Sequence, residues 1–555
     1  MSPKLFVGSL PTKYRTPVNS IVAVMMLAVV FTLVSNLRFG SIHGSAAATD
    51  NAAAVESSGS RYIVVLKEGQ FDSGYGAIKA AGGTVTHTNK LGIVTVMASS
   101  GDFIEAMRAS GLVQAVARNA GFKQASIASV LDNTTASVVA TPAAENGDCA
   151  ALYGVQASTG PDPLGACQWD MRAIGATTTG SYAVNQGAGT RIGDIDTGID
   201  LTHPDLAPNL DVANSCSFIY ATTPTSDPAE QVTVGDCSNK AAIQDLAGHG
   251  THTAGTIASP INGQGISGVA PKATLVALKA GTAQGYFFTD SVVDAITYAG
   301  DQRLDAVNMS FFADPWLFNC RNDAEQKAIV QAISRATRYA KDRGVVLVAA
   351  AGNEGIDLNH PTTDEISPDF PPGAAVTRTV KNSCVVLPTE LPGVVVVSAT
   401  GAQNLLAWYS TYGNIVDVAA PGGSRFQTPT PDTARGRVLA PYSSTTGAAD
   451  RALLESLGQL VQDPVTGAYY AWLNGTSMAA PHATGVVALI RASNLAMPQG
   501  SVVAKLRKTT TSLACPKALD PGVAFFGAPV QVCSGGKGSN SFFGAGLVNA
   551  LAAAQ

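Results

Sequence analysis

Residues 474–482 read Asn-Gly-Thr-Ser-Met-Ala-Ala-Pro-His, and an apolar run, residues 485–490, follows closely. The pattern predicts a buried helix with Ser477 in its first turn. Backbone N–H groups at a helix N-terminus lack intrahelical partners, and the helix dipole adds partial positive charge there. Both features would stabilise negative charge forming beside the Ser477 hydroxyl, as nucleophilic attack on a carbonyl requires. A serine that only caps a helix is the commoner use of such a pattern, so this stretch alone leaves both interpretations open.

Two further segments supply an acid and a base. Residues 191–200 read Arg-Ile-Gly-Asp-Ile-Asp-Thr-Gly-Ile-Asp, which predicts a short strand that carries Asp196 into a turn. Residues 248–256 read Gly-His-Gly-Thr-His-Thr-Ala-Gly-Thr, which predicts a helix with His249 at its start. Acid, base and nucleophile therefore follow in the order Asp, His, Ser, which is the chain order of the subtilisin triad.

A fourth segment supplies an amide. Residues 345–351 are apolar throughout, which is typical of a strand buried in a parallel sheet, and Asn353 follows them. Four ordered motifs with these neighbours closely resemble the subtilisin-like serine protease family, over about residues 165–555. Shorter matches agree with this resemblance: Gly-Val-Ala-Pro at 268–271, Val-Asn-Met-Ser at 307–310, Val-Asp-Val-Ala-Ala-Pro-Gly at 416–422 and Gly-Ala-Gly-Leu-Val-Asn-Ala at 544–550.

The resemblance implies a role for each motif residue. Ser477 would be the nucleophile, His249 the general base and acid, and Asp196 the group that orients the imidazole. The Asn353 side chain and the Ser477 N–H would form the oxyanion hole. Each residue also has an ordinary structural alternative, such as a turn asparagine or a buried histidine. Those alternatives would have to coincide four times in this order, so we favour the catalytic interpretation of a serine endopeptidase acting on polypeptides through an acyl-enzyme.

Asp194 departs from the family pattern, which usually has an apolar residue at this position. Asp194 precedes Asp196 by two residues, so on a strand both side chains face the same way, with Cα atoms roughly 6.6 Å apart. A second carboxylate so close could raise one pKa and couple the two titrations, which predicts that Asp194→Val shifts the pH–rate profile. The alternative, which we favour from sequence alone, is that Asp194 pairs with a cation or reaches solvent.

The resemblance also implies where substrate binds. Ser310, Phe311 and Phe312 lie in a stretch that pairs with the substrate backbone and lines the primary pocket in the family. Phe312 stands where the family has a glycine, which would narrow or reshape that pocket. Gly285 would begin the opposite substrate edge. We expect a weak preference for small or apolar residues before the cut.

A structural calcium ion is a further expectation from the resemblance. Asp205 and Asn262 match family calcium ligands, and oxygen ligands from loops suit Ca²⁺. The alternative is a turn aspartate and a turn asparagine. No pattern of histidines and cysteines resembles a zinc site, so metal-assisted hydrolysis is not predicted.

Composition agrees with a large folded enzyme. The chain has 555 residues, 46% hydrophobic and 14% charged, with a formal net charge of −5. This slight acidity gives no reason to expect nucleic acid as a partner. Predicted strands alternate with predicted helices, which argues for an α/β fold: a three-layer, subtilisin-like domain with a mainly parallel sheet. The strands are expected at 191–196, 275–279, 305–310, 345–351 and 394–399, and the helices at 249–259, 289–300 and 322–343.

The beginning of the chain predicts export. An apolar run at 21–34 follows Lys4, Lys13 and Arg15 and precedes three alanines at 46–48. This order is typical of a secretory signal peptide, placed at 1–48. The run is short for a spanning helix, which needs about 20 residues. The enzyme would therefore be secreted, although an uncleaved signal-anchor would make it a membrane-anchored, outward-facing processing protease.

Residues 60–120 form a separate predicted module. Their strands and helices follow the order βαββαβ, which fits a small α+β ferredoxin-like fold. The module is similar to the inhibitor I9-like propeptide of subtilisin-like proteases, which implies that it assists folding and acts as an intramolecular inhibitor. An unrelated binding domain is the alternative. Residues 121–165 have the composition of a linker and processing region, and the peptidase domain is placed at 166–555.

Eight cysteines suit an oxidising compartment. About 105 connectivities are possible, and sequential pairing gives Cys149–Cys167, Cys216–Cys237, Cys320–Cys384 and Cys515–Cys533. Two segments rich in Pro, Thr, Asp and Gly, about 356–390 and 424–470, are insertions relative to the family, and we expect surface loops there. The chain is thus predicted to be a self-processing zymogen. The rival hypothesis is a binding protein on the same scaffold, for which Phe312 is the only support.

Overall fold

The computed structural model describes residues 60–119, 149, 162–312, 315–371, 373–428, 434–463 and 465–555. The predicted signal peptide and most of the predicted linker lie outside these residues. Within them, no helix has the length and apolar character needed to cross a membrane.

The helices and main strands follow the predicted order closely. The helices are α1 (Phe71–Ala80), α2 (Phe103–Ala109), α3 (Trp169–Ile174), α4 (His249–Ala258), α5 (Thr289–Asp301), α6 (Ala324–Asp342), α7 (Ala448–Ser456), α8 (Thr476–Ser493), α9 (Gln499–Lys508), α10 (Gly522–Phe526) and α11 (Ala550–Ala554). The strands are β1 (Ser60–Leu66), β2 (Gly83–Asn89), β3 (Ile93–Ala98), β4 (Val113–Arg118), β5 (Arg191–Asp196), β6 (Cys216–Ser217), β7 (Ile219–Tyr220), β8 (Gln231–Val232), β9 (Thr274–Lys279), β10 (Ala306–Met309), β11 (Asn319–Cys320), β12 (Val346–Ala350), β13 (Thr363–Asp364), β14 (Arg378–Thr379), β15 (Cys384–Val385), β16 (Val394–Thr400), β17 (Val418–Pro421), β18 (Val438–Tyr442), β19 (Leu460–Gln462), β20 (Tyr469–Leu473), β21 (Gly535–Gly536) and β22 (Ser539–Asn540).

A seven-stranded sheet in the order β17-β16-β12-β10-β5-β9-β6 forms the middle layer of the domain. Every pairing between these neighbours is parallel. Successive side chains of a strand point to opposite faces, so Val346 and Val348 of β12 pack into the core on one face and Leu347 into the core on the other. Helices α4 and α8 cover the first face, and α5 and α6 cover the second. The predicted α/β fold with a mainly parallel sheet is confirmed.

The carboxyl ends of the strands assemble the motif residues. Asp196 is the last residue of β5, Ser310 follows β10, and Asn353 lies shortly after β12. Helices α4 and α8 begin with His249 and Thr476, and the two helices pack against each other. Because the carboxyl ends of parallel strands lie at one edge of a sheet, this edge is where an α/β fold builds its sites.

Residues 60–119 form an antiparallel four-stranded sheet in the order β2-β3-β1-β4, with α1 and α2 packed against it. The βαββαβ order is the one predicted from sequence. Tyr62, Val64, Val94, Val96 and Phe103 contribute to a core of its own. The other face of the sheet packs on α5 and α6 of the larger domain.

The interpretation of 424–470 as a surface loop is wrong. Strands β18 and β19 and helix α7 lie in this segment, and β20 begins at its end; the strands pair antiparallel in the order β18-β20-β19. Tyr442, Tyr470 and Trp472 are among the largest fully buried side chains of the described chain. The sequence pattern predicted a loop because polar residues stand at both ends of the segment, on either side of these apolar strands. In the other insertion, 356–390, the strands of the described residues are β13, β14 and β15, each two residues long.

All eight cysteines are paired, and the sequential connectivity is confirmed. Each bond closes a segment between residues 149 and 533. The module at 60–119 contains no cysteine, so no disulfide ties it to the rest of the chain.

Candidate active site

His249 and Asp196 form a buried pair at the end of β5. The His249 Nδ1 atom lies 2.8 Å from Asp196 Oδ1 and 2.9 Å from Oδ2. Asp196 Oδ1 also accepts the Thr197 N–H at 2.7 Å, which fixes the carboxylate. The approach of α4 to β5 depends on Gly250, because a Cβ atom there would lie 2.1 Å from the Gly198 carbonyl oxygen. With Nδ1 held on the carboxylate, Nε2 is the imidazole nitrogen left to exchange a proton with a substrate or a nucleophile.

Ser477 is the second residue of α8 and is held by Ser310, which directly follows β10. The Ser477 hydroxyl donates to the Ser310 carbonyl oxygen at 3.1 Å, and the Ser310 hydroxyl donates to the Ser477 carbonyl oxygen at 2.9 Å. Among the described side chains, the Ser477 hydroxyl therefore donates to this carbonyl and not to His249. Catalytic hydrogen bonds commonly form or tighten only when substrate binds, and a turn about one side-chain bond would redirect the hydroxyl.

The Asn353 amide is oriented by Thr476. Its Oδ1 atom accepts the Thr476 N–H at 2.8 Å and the Thr476 hydroxyl at 2.9 Å. The Thr476 oxygen in turn accepts the Gly352 N–H at 3.1 Å. With its oxygen engaged, Asn353 presents its NH₂ group. A Cβ atom at Gly475 would lie 3.5 Å from Asn353 Nδ2 and 3.6 Å from the Ser477 backbone nitrogen, so both donors border the same small space.

Asp194 neither pairs with a cation nor reaches solvent, so the interpretation favoured from sequence is wrong. Asp194 is 2% exposed, and its carboxyl group lies 2.8 Å from the Thr253 hydroxyl oxygen and accepts a hydrogen bond from the Asn308 amide at 2.9 Å. Burial, and then the negative charge of Asp196, raise the pKa of Asp194 well above its usual range. No cation of the described chain forms an ion pair with it.

The candidate substrate residues have different surroundings. The Phe311 ring stacks on Phe287 with centroids 4.4 Å apart. Phe312 packs in a cluster with Leu317, Phe318 and Leu358, in and beside the first inserted segment. Gly285 lies in a turn with φ of +79°, a conformation that glycine adopts without strain. The Phe312 side chain is therefore part of the core under the insertion.

Asp205 and Asn262 lie together, but as partners of each other. The Asn262 amide donates to Asp205 Oδ1 at 3.0 Å, while the Ile266 N–H and the Tyr470 hydroxyl each donate to Oδ2 at 2.9 Å. Burial raises the pKa of Asp205 to about 7. No group of three or more His, Cys, Asp or Glu side chains suited to a metal occurs in the described residues. Sequence reasoning missed Tyr470, which is 265 positions away in the inserted hairpin.

Comparison with known proteins agrees with this geometry. The family model "Subtilase family" (Peptidase_S8) matches residues 187–546, well over half of the chain. The chain therefore belongs to the subtilase family and is a serine-type endopeptidase.

Individual relatives are distant. Subtilisin BL of Lederbergia lenta is 28% identical over 369 residues, 66% of this chain and 92% of that protein. Subtilisin E of Bacillus subtilis (strain 168) is 27% identical over 369 residues, 66% of this chain and 66% of that protein. The epidermin leader peptide processing serine protease EpiP of Staphylococcus aureus shares the fold, with a TM-score of 0.60 and 20% identity over 89% of this chain and 97% of that one. Fervidolysin of Fervidobacterium pennivorans, a keratinolytic enzyme, does so with a TM-score of 0.56 and 21% identity over 89% of this chain and 61% of that one.

Proposed function

We propose that the chain is a secreted endopeptidase that uses Ser477, His249 and Asp196 as its catalytic triad and is made as a self-processing zymogen. The observation that carries the triad is the contact of His249 Nδ1 with both Asp196 oxygens. The Asn353 amide, oriented by Thr476, and Ser477, the second residue of α8, support the same assignment.

The proposed reaction follows from these positions. The Ser477 oxygen attacks the substrate carbonyl, and His249 Nε2 takes the hydroxyl proton. Asp196 stabilises the resulting imidazolium. Negative charge on the carbonyl oxygen is met by the Asn353 NH₂ and the Ser477 N–H. His249 then protonates the leaving amine, and water hydrolyses the acyl-enzyme by the same steps in reverse.

We propose that residues 60–119 are the inhibitory propeptide. Their hold on the larger domain is polar as well as apolar: Arg61 pairs with Asp290, and Asn89 donates to Asp294 at 2.6 Å. The Arg335 guanidinium donates to two carbonyl oxygens of the module, at 3.0 and 2.7 Å. Paired cysteines and the apolar N-terminal run support export. Recovering a mature enzyme that still carries the N-terminal run would instead favour the membrane-anchored form.

The test compares the chain from Ala46 onward with two variants, Ser477→Ala and the matched control Ser493→Ala. Ser493 lies at the far end of α8, and within the described residues its hydroxyl donates to the Ile490 carbonyl of the same helix. We expect the wild type and the control to trim themselves between the module and the domain and to cut casein. The Ser477 variant should do neither. If all three remain full length and inert, the proposed function is wrong.

Calcium remains a separate proposal. Asp205 and Asp162 are buried carboxyl groups, and neither pairs with a cation in the described part of the chain. Such oxygens suit Ca²⁺. Asn262 fits less well, because its amide nitrogen faces Asp205 and its oxygen accepts the Gln264 N–H at 2.9 Å. We therefore expect the two carboxylates to hold any bound ion. A melting temperature that is the same in EDTA and in calcium would contradict this.

The preference for small or apolar residues before the cut is also a proposal. The stacked Phe287 and Phe311 rings support it, since both are apolar and both belong to the segments assigned to the substrate. A peptide-library profile dominated by basic residues would refute it.

A further inference from the structure

Asp194 is enclosed by neutral groups from the elements around it. Thr253 reaches it from α4 and Asn308 from β10, while the residue beside it on β9 is Ala277. The charges of Asp196 and Asp245, both negative, also act on Asp194 and raise its pKa. Burial and like charges both disfavour a carboxylate and favour the neutral acid.

The contacts of the Thr253 hydroxyl also favour the neutral acid form of Asp194. The Thr253 oxygen lies 2.8 Å from Asp194 Oδ2 and 3.1 Å from the Gly250 carbonyl oxygen. A hydroxyl has one proton and cannot donate fully to both acceptors. If Oδ2 carries a proton, the acid donates to Thr253 and Thr253 donates to Gly250, so each polar atom of this set is satisfied.

The other oxygen of Asp194 holds an amide that leads to the nucleophile. Asn308 Nδ2 has two protons, and it contacts Asp194 Oδ1 at 2.9 Å and the Ser310 oxygen at 3.0 Å. The Ser310 hydroxyl donates to the Ser477 carbonyl oxygen at 2.9 Å. Thr484, on the same helix as Ser477, lies 3.4 Å from Asn308 Oδ1. The plane of the Asn308 amide is therefore fixed on one side by Asp194 and on the other by α8.

We propose that Asp194 is a positioning residue, held as a neutral carboxylic acid, that fixes Asn308 and, through Ser310, the backbone of Ser477. The inference rests on the proposed function, since it assigns the support of that nucleophile. Neutrality matters because a second anion beside Asp196 would favour protonated imidazole, which cannot act as a base.

The protonation state of Asp194 is tested by unfolding measurements, which need no enzymatic activity, on protein that carries Ser477→Ala. The perturbation is Asp194→Asn, which keeps an acceptor toward Asn308 and supplies an N–H donor toward Thr253, as the neutral acid does. A folded-state pKa raised above the ordinary 3.8 means that the wild type loses stability as pH rises from that value to the raised one. The ratio of the unfolding constants of wild type and variant should rise about tenfold per pH unit in this range. A ratio that does not change with pH between about 5 and 7 would overturn the neutral acid.

The positioning role is tested by kinetics with casein-derived peptides. Asp194→Val should lower kcat more than it changes KM, because Asn308 loses an acceptor. Asp194→Asn should rescue most of kcat. The double variant Asp194→Val/Thr253→Val replaces the polar pair with an apolar one and should recover the melting temperature but not kcat. If the double variant recovers both the melting temperature and kcat, Asp194 contributes packing alone and the proposal is wrong. If the wild type has no Ser477-dependent activity, the proposed function fails, while the unfolding comparison still decides the state of Asp194.

Discussion

The ion pair between Arg61 and Asp290 is the most deeply buried charged contact between the 60–119 module and the larger domain. The Arg61 and Asp290 side chains are 6% and 1% exposed. Asp290 also accepts the Thr95 hydroxyl at 2.9 Å, and the Arg61 guanidinium lies 5.6 Å from the centre of the Phe288 ring. Arg61→Met removes the cation while keeping an apolar stem over that ring. The Asp290 charge then stays buried in the complex without its partner.

The expected size of the effect follows from this burial. Removing one partner of a buried pair costs about 3–5 kcal/mol, because the remaining charge stays desolvated. The Thr95 hydroxyl still donates to Asp290 in the variant, so we expect the lower end, about 3 kcal/mol. At about 1.4 kcal/mol per factor of ten, binding of the module should weaken roughly 100-fold.

The assay is the inhibition constant of separately produced residues 60–119 against the activated enzyme, with circular dichroism to show that each segment is folded. Arg118→Met is the matched control. Its partner is Glu325, and the side chains are 67% and 31% exposed, so the loss should stay below about 1 kcal/mol, or about fivefold. Asp290→Asn on the enzyme completes a double-mutant cycle. If Arg61→Met and Arg118→Met weaken binding equally, burial does not determine how strongly these ion pairs hold the module.

Three further predictions concern other parts of the molecule. Asn353→Leu should lower kcat by about 10²–10³ without a matching rise in KM, which is the magnitude known for loss of the oxyanion-hole amide in subtilisin. Burial lowers the pKa of His87, but the nearby Asp294 carboxylate outweighs burial, so the pKa is raised overall. Module binding should therefore be strongest below about pH 6.5 and weaken as pH rises through the raised pKa. The inhibition constant of the His87→Gln variant should not change with pH in this range. Lys279→Met should destabilise the fold by about 3–5 kcal/mol in unfolding experiments, because it leaves Glu230 buried without its cation.

Each of these has an outcome that contradicts it. An unchanged kcat in the Asn353 variant would show that the Asn353 amide does not form part of the oxyanion hole. Parallel inhibition profiles for wild type and His87→Gln would show that His87 does not titrate at the interface. A Lys279 variant as stable as the wild type would mean that Glu230 takes up a proton or reaches solvent.

The motifs predicted the sheet edge well because each of them is local. Asp196 ends a strand, Asn353 follows one by three residues, His249 begins a helix and Ser477 is the second residue of another. The apolar runs beside these residues fix those elements. The environment of Asp194 could not be predicted in this way. Its partners Thr253 and Asn308 are 59 and 114 positions away, and whether a carboxyl group is solvated depends on what packs over it.

The inserted hairpin shows the same limit. The sequence predicted a loop in place of its strands because proline, threonine and glycine surround them. The burial of Tyr470 depends on partners such as Asp205, which lies 265 positions earlier. Disulfide pairing was predictable for the opposite reason: three of the four bonds close segments with separations of only 18 to 21 residues.

The positions of the disulfide bonds determine what a cut between the module and the larger domain would release. All four lie beyond residue 148, and Cys149 is joined to Cys167, so a cut anywhere between 150 and 166 would still leave the upstream piece attached to the enzyme. A cut between 120 and 148 would leave the module held by non-covalent contacts alone. Once the module had diffused away, dilution would oppose its return, so activation of the proposed zymogen would be irreversible.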